Sequence, residues 1–69
     1  MCNDNVRAAI EDSGMKQKFI AEKAGISEQT LSAIMNGRQK IGADLFFVIS
    51  EILKITPEEL YHYPVEKGA

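Results

Sequence analysis

Lys16, Lys18, Lys23, Arg38 and Lys40 carry the chemistry this sequence offers most plainly: five cations in the segment 16–40, which holds only two acids, Glu22 and Glu28. The rest of the chain sets three cations against eight acids, so a chain of formal net charge −2 contains one distinctly positive stretch. Because screening at ~0.15 M salt sets in within about 8 Å, a phosphate beside that stretch responds to the local field rather than to the total. Catalytic chemistry has no comparable footing. His62 is the only histidine and Cys2 the only cysteine, the acids are scattered, and no glycine-rich phosphate loop or metal-ligand spacing occurs. No enzymatic activity, metal or cofactor is expected.

The cations must be positioned by helices, because helical spacing accounts for most of the chain. Val6, Ala9 and Ile10 recur at helical intervals after the cap-type residues Asn3, Asp4 and Asn5, and Gly14 marks a stop. Ile20, Ala21 and Ala24 form the stripe of a second helix over 16–24, closed by Gly25, with Phe19 pointing away from that stripe. Ser27 can cap a third helix whose apolar face is Leu31, Ile34 and Met35, before Asn36-Gly37 breaks the pattern. Over 44–54, Leu45, Val48, Ile49, Ile52 and Leu53 gather on one side of a fourth helix and leave Phe47 off it. Thr56-Pro57-Glu58-Glu59 supplies an N-cap, a proline at the first helical position and a glutamate three residues after the cap, with Ile55 and Leu60 at staple positions for a fifth helix. No strand-period alternation or repeat is present. The expected fold class is all-α, a compact five-helix bundle, with residues 1–62 as one domain and 63–69 as a loosely ordered tail.

The second and third helices carry the most specific pattern. Where two helices meet through a turn of three or four residues, the crossing residue must be small, as Ala21 is. The turn needs a residue that tolerates positive φ, as Gly25 does. Ile26, Leu31 and Ile34 can then anchor one side of the third helix while Glu28, Gln29, Ser32 and Ala33 stay outward. That is helix-turn-helix geometry. The joint pattern Gln17-x-x-Ile20-Ala21-x-x-x-Gly25-Ile26-Ser27, Thr30-Leu31-Ser32 and Asn36-Gly37 resembles the Cro/C1-type (XRE-like) helix-turn-helix family of phage and bacterial transcriptional regulators, over a span from Val6 to Leu60. The resemblance implies a lambda-repressor-like DNA-binding bundle, with the third helix, about residues 28–35, in the major groove of double-stranded DNA and the second across the backbone.

Residue roles are what the resemblance implies. Gln17 and Asn36 would hydrogen-bond phosphate or each other, the Gly37 amide would approach the backbone closely, and Lys16, Arg38 and Lys40 would add salt-dependent affinity. Base readout would fall to Glu28, Gln29, Ser32 and Ala33, with Gln29 suited to bidentate contact with adenine and Ala33 to a thymine methyl. Glu28 can accept from cytosine or merely complement the helix dipole. Three positions depart from the family pattern. Ile10 and Met35 stand where an arginine and a glutamate often pair, which predicts a packed contact without unpaired charge. Lys16 stands at a usual Ser or Thr cap, and Lys54 replaces a frequent glycine after the fourth helix.

The implied function is a sequence-specific DNA-binding transcriptional regulator, a repressor or autoregulator of phage or mobile-element type. It would bind a palindromic operator as a homodimer through the fifth helix and tail, with Phe47, Tyr61 and Tyr63 as the dimer surface. The lack of a long apolar run or a secretory pattern, together with a lone cysteine, points to a cytoplasmic protein outside the membrane. A competing reading is a helix-turn-helix-like interaction module, or an antitoxin-type partner with weak or no DNA binding. The acidic pI of about 5.2, Glu28 and the off-stripe phenylalanines favour it.

Overall fold

A computed structural model describes residues 3–65 of the chain. Five helices follow in order: α1 (Asp4–Ser13), α2 (Gln17–Ala24), α3 (Glu28–Met35), α4 (Ala43–Ile52) and α5 (Pro57–Tyr61). No strand occurs among the described residues, so the all-α bundle expected from the periodicity is the fold. α2 packs on α3 and α4, α1 on α3 and α5, and α4 on α5. The third helix is thereby held by the first two.

Every helix contributes to one core: Val6, Ala9 and Ile10 from α1, Ile20 and Ala21 from α2, Leu31 and Met35 from α3, Ile49 from α4 and Leu60 from α5. Full burial of one such aliphatic side chain is worth about 1.5–3 kcal/mol, and a domain this small depends on nearly all of them. Ile10 and Met35 both lie in this cluster, so the apolar exchange there leaves no buried charge. The α4 stripe is less covered than its wheel predicts. Ile49 is fully buried, whereas Leu45, Val48, Ile52 and Leu53 are half-buried. α4 packs chiefly on α2 and α5, which cover the centre of the stripe and leave its flanks partly wet.

Helix starts follow the sequence in some places and not in others. Thr56 and Glu59 form the reciprocal box, each side chain accepting the other's backbone N–H at 3.0 Å. α1 differs: Asn3 occupies the cap position but makes no side-chain cap bond. Its amide instead donates to the carbonyls of Ile34 (2.8 Å) and Gln39 (3.0 Å). The Asn5 amide donates to Leu60 (3.2 Å) and Tyr61 (2.9 Å). Residues read as local caps therefore tie α1 to distant chain ends.

Three helices end in one way. After α2, Gly25 (φ 74°) donates to the Glu22 carbonyl and Ile26 to that of Ala21. After α3, Gly37 (φ 75°) donates to Ile34 and Arg38 to Ala33. After α4 the pair is Lys54 to Glu51 and Ile55 to Ser50, and Lys54 adopts φ 61°. This double bond through a left-handed residue satisfies carbonyls the helix leaves open and turns the chain sharply. Lys54 thus keeps the geometry a glycine would take, against a steric penalty of about 1–2 kcal/mol.

Opposite substitutions at two of these turns should give opposite results. A Cβ at Gly25 meets no atom within 4 Å, so Gly25→Ala suffers backbone strain alone and is expected to lose about 1 kcal/mol. Lys54→Gly is expected to gain a similar amount, raising Tm by roughly 4–8 °C in thermal melts followed by circular dichroism. A lowered Tm for Lys54→Gly would contradict the strain at that residue.

Candidate nucleic-acid interface

α3 begins at an extended Ser27, whose hydroxyl accepts the Thr30 N–H at 3.0 Å and lies 2.8 Å from the Thr30 hydroxyl. One side of the helix is fixed inward by Leu31, Ile34 and Met35. On the other side Glu28 and Gln29 are exposed, while Ser32 and Ala33 are half-buried. The four residues expected to face outward are thus graded along the helix. The chain after α3 folds back at the half-buried end, where the Ala33 carbonyl accepts N–H groups from Arg38 (2.9 Å) and Gln39 (3.3 Å). The Asn36 amide also reaches the Ser32 hydroxyl at 3.4 Å.

That return loop brings part of the expected phosphate set beside the expected readout set. Asn36, Gly37, Arg38 and Lys40 are all exposed, as are Lys16, Gln17, Lys18 and Lys23. Among the described residues the one ion pair is Arg7–Glu11, 3.5 Å apart and outside the positive stretch. None of the five cations of segment 16–40 forms an ion pair among the described residues. Lys23 stands over the ring of the exposed Phe19, 5.5 Å from its centroid. Lys16 precedes α2 without a side-chain cap bond, which leaves first-turn amides of α2 uncapped by any side chain. No hydrogen bond among the described residues joins Gln17 to Asn36.

Aromatic residues collect on another part of the bundle. Phe47 is 53% exposed and Tyr61 60%, and both line an open groove of about 310 Å³ with Val6, Ile41, Ala43 and Phe46, and with Asn3 and Asn5 as its polar members. Phe46 and Phe47 meet edge to face at 6.4 Å, as do Tyr61 and His62 at 5.0 Å. Tyr63 does not join them. It packs half-buried against the core, and its hydroxyl donates to the Asp12 carboxylate at 2.7 Å. The residue that heads the expected loose tail is therefore bonded to α1, and residues 66–69 lie outside the described residues.

A small helix held by a glycine turn, with one face anchored, the other open and cations beside it, is the arrangement on which comparison with known proteins bears. A family model described as "Helix-turn-helix" matches residues 6–60. This chain belongs to the Cro/C1-type helix-turn-helix family. The family is one of DNA-binding regulators rather than enzymes, and its matched span includes all of α2 to α4 with the turn between α2 and α3. No curated protein and no solved structure matches the chain. No helix among the described residues is long and apolar enough to cross a membrane. What the residue pattern missed at this site is Asn3, because its bonds to Ile34 and Gln39 span more than thirty residues and leave no local signature.

The Tyr63–Asp12 bond gives a pH signature. Accepting carboxylate, partial burial and negative charge all hold the phenol above its ordinary value of 10.0. A raised folded-state value means that the stabilisation is complete below pH 10 and disappears as pH rises through the raised value. Urea midpoints of wild type and Tyr63→Phe should differ at pH 8 and converge as pH rises through the raised value of the Tyr63 phenol. A difference that persists or widens at high pH would rule out this assignment.

Proposed function

We propose that this protein is a sequence-specific double-stranded DNA-binding transcriptional regulator in the cytoplasm, a repressor or autoregulator that occludes a promoter. The observation that carries the reading is the coexistence of an anchored α3, exposed at Glu28 and Gln29, with an exposed and unpaired cationic loop folded back on its C-terminal half. Seated in a major groove, Gln29 would read a base edge bidentately, while Ser32 and Ala33 would need close approach because they are half-covered. Gln17, Lys16, Asn36, the Gly37 amide, Arg38 and Lys40 would hold phosphates on either side. Phage or mobile-element origin remains part of the proposal.

The groove around Phe47 and Tyr61 supports homodimerisation and therefore a palindromic operator, with half-sites about one DNA turn, ~34 Å, apart. Two exposed aromatic rings on one apolar groove are a surface that burial against a second copy would remove from water. Tyr63 contributes less than its neighbours, since its hydroxyl is already bonded to Asp12. The same groove, together with the acidic pI and Glu28, favours a protein-interaction module.

Salt dependence separates the two. Log affinity for duplex DNA should fall linearly with log salt, and Arg38→Ala and Lys40→Ala should each flatten the slope by about one unit. Gln29→Ala should instead relax discrimination at one base position by about 1–3 kcal/mol with the slope unchanged. No complex with any duplex at low salt would transfer the protein to the interaction-module reading. For the dimer, Phe47→Glu should leave a monomer by light scattering at concentrations where wild type is dimeric, and a monomeric wild type both free and on DNA would remove it.

A further inference from the structure

Asn3 is a short polar residue just before a helix, the place where such a side chain ordinarily accepts an N–H from the helix's own first turn. Here it does not. The residue is only 9% exposed, and its amide is turned away from α1 to donate twice, to the Ile34 carbonyl in the last turn of α3 and to the Gln39 carbonyl in the loop beyond. Both protons of the amide nitrogen are thereby used. One NH2 group therefore bridges both ends of the segment Asn36, Gly37 and Arg38. That loop is also held by the Gly37, Arg38 and Gln39 N–H bonds to Ile34 and Ala33 and by the bonds of Asn36 to Ser32.

We infer that Asn3 is a positioning residue for DNA binding: it clamps the loop 36–40 against α3 and fixes where the Gly37 amide, Arg38 and Lys40 meet the phosphate backbone. The inference rests on the proposed DNA-binding function. It needs an NH2 group specifically, because both partners are acceptors. A carboxylate of the same size has no proton to give them and would face two carbonyl dipoles. The clamp also ties the residue that precedes α1 to the end of α3.

Asn5 supplies an internal control. Its amide bridges two carbonyls in the same way, from the same end of α1, but those carbonyls belong to Leu60 and Tyr61 on α5. Removing the Asn3 amide deletes two bonds and removing the Asn5 amide deletes three, because the Asn5 oxygen also accepts the Val6 N–H at 3.0 Å. Both residues line the groove beside Phe47 and Tyr61, so an effect on that groove is common to the two variants, and only the Asn3 bonds lie at the loop.

The test compares Asn3→Ala with Asn5→Ala by two readouts: affinity for a mixed-sequence duplex at low salt, and amide hydrogen exchange at Arg38 and Gln39 relative to Leu31 in mid-helix α3. A mixed-sequence duplex suits the purpose because phosphate contacts are independent of sequence. Asn3→Ala is expected to weaken binding by about three- to tenfold more than Asn5→Ala, and to speed exchange at Arg38 and Gln39 beyond any change at Leu31. Equal affinity losses in the two variants, or exchange at Arg38 and Gln39 that keeps pace with Leu31, would overturn the clamp. Should Asn3→Ala not fold, Asn3→Asp against Asn5→Asp makes the same comparison with matched charge and size. If wild-type protein binds no duplex, the DNA-binding function fails, and the exchange readout still decides whether Asn3 holds the loop.

Discussion

A single left-handed residue, Gly25, lets α2 stop and α3 leave in a new direction within three residues, and the placement of α3 depends on it. The bonds from Gly25 to Glu22 and from Ile26 to Ala21 close α2, and the chain then enters Ser27, whose hydroxyl opens α3. Turn and cap together leave little freedom in the angle at which α3 departs. Burial then fixes its rotation, because Leu31, Ile34 and Met35 have only one side from which to reach the core. Exposure of Glu28 and Gln29 follows from those two constraints without any interaction of their own.

The same left-handed closure recurs after α3 and α4, and each instance sets up a surface. At Gly37 it throws the chain back over Ala33 and delivers Arg38 and Lys40 to the side of the helix. At Lys54 it directs the chain into α5, whose Leu60 reaches the core and whose Tyr61 stands at the aromatic groove. Charge and apolar surface are segregated by these turns. The exposed cations of segment 16–40 lie on and beside α2 and α3, while the rings of Phe47 and Tyr61 lie along α4 and α5, and the exposed ring on α2, Phe19, stands under Lys23. A net charge of −2 conceals this division.

Local order was largely legible in the residues. The five helices, the glycine turn, the Ser27 cap and the Thr56–Glu59 box each depend on residues within a few positions of one another, and sequence reasoning finds such short-range chemistry. Two kinds of feature were not legible. Asn3 and Asn5 have the composition of helix caps, yet their amides are used by carbonyls far along the chain, which no local pattern records. Degree of burial was the other: a helical wheel assigns a side but not a depth, so Ser32, Ala33 and the flanks of the α4 stripe could be placed on a face but not graded. Lys54 shows the converse, a residue unlike the usual glycine that nonetheless keeps the left-handed backbone and the paired bonds to Glu51 and Ser50.

The central claim is that the open face of α3 and the loop beside it meet duplex DNA as one surface. Backbone amide shifts followed through a titration with the best duplex selected from random DNA test it most directly. Changes concentrated at Gln29, Ser32, Ala33 and 36–40, with the α4–α5 aromatic groove altered only as far as dimerisation requires, are the result this account predicts. Saturating shifts confined to α4 and α5, with α3 and the loop unmoved, would contradict it.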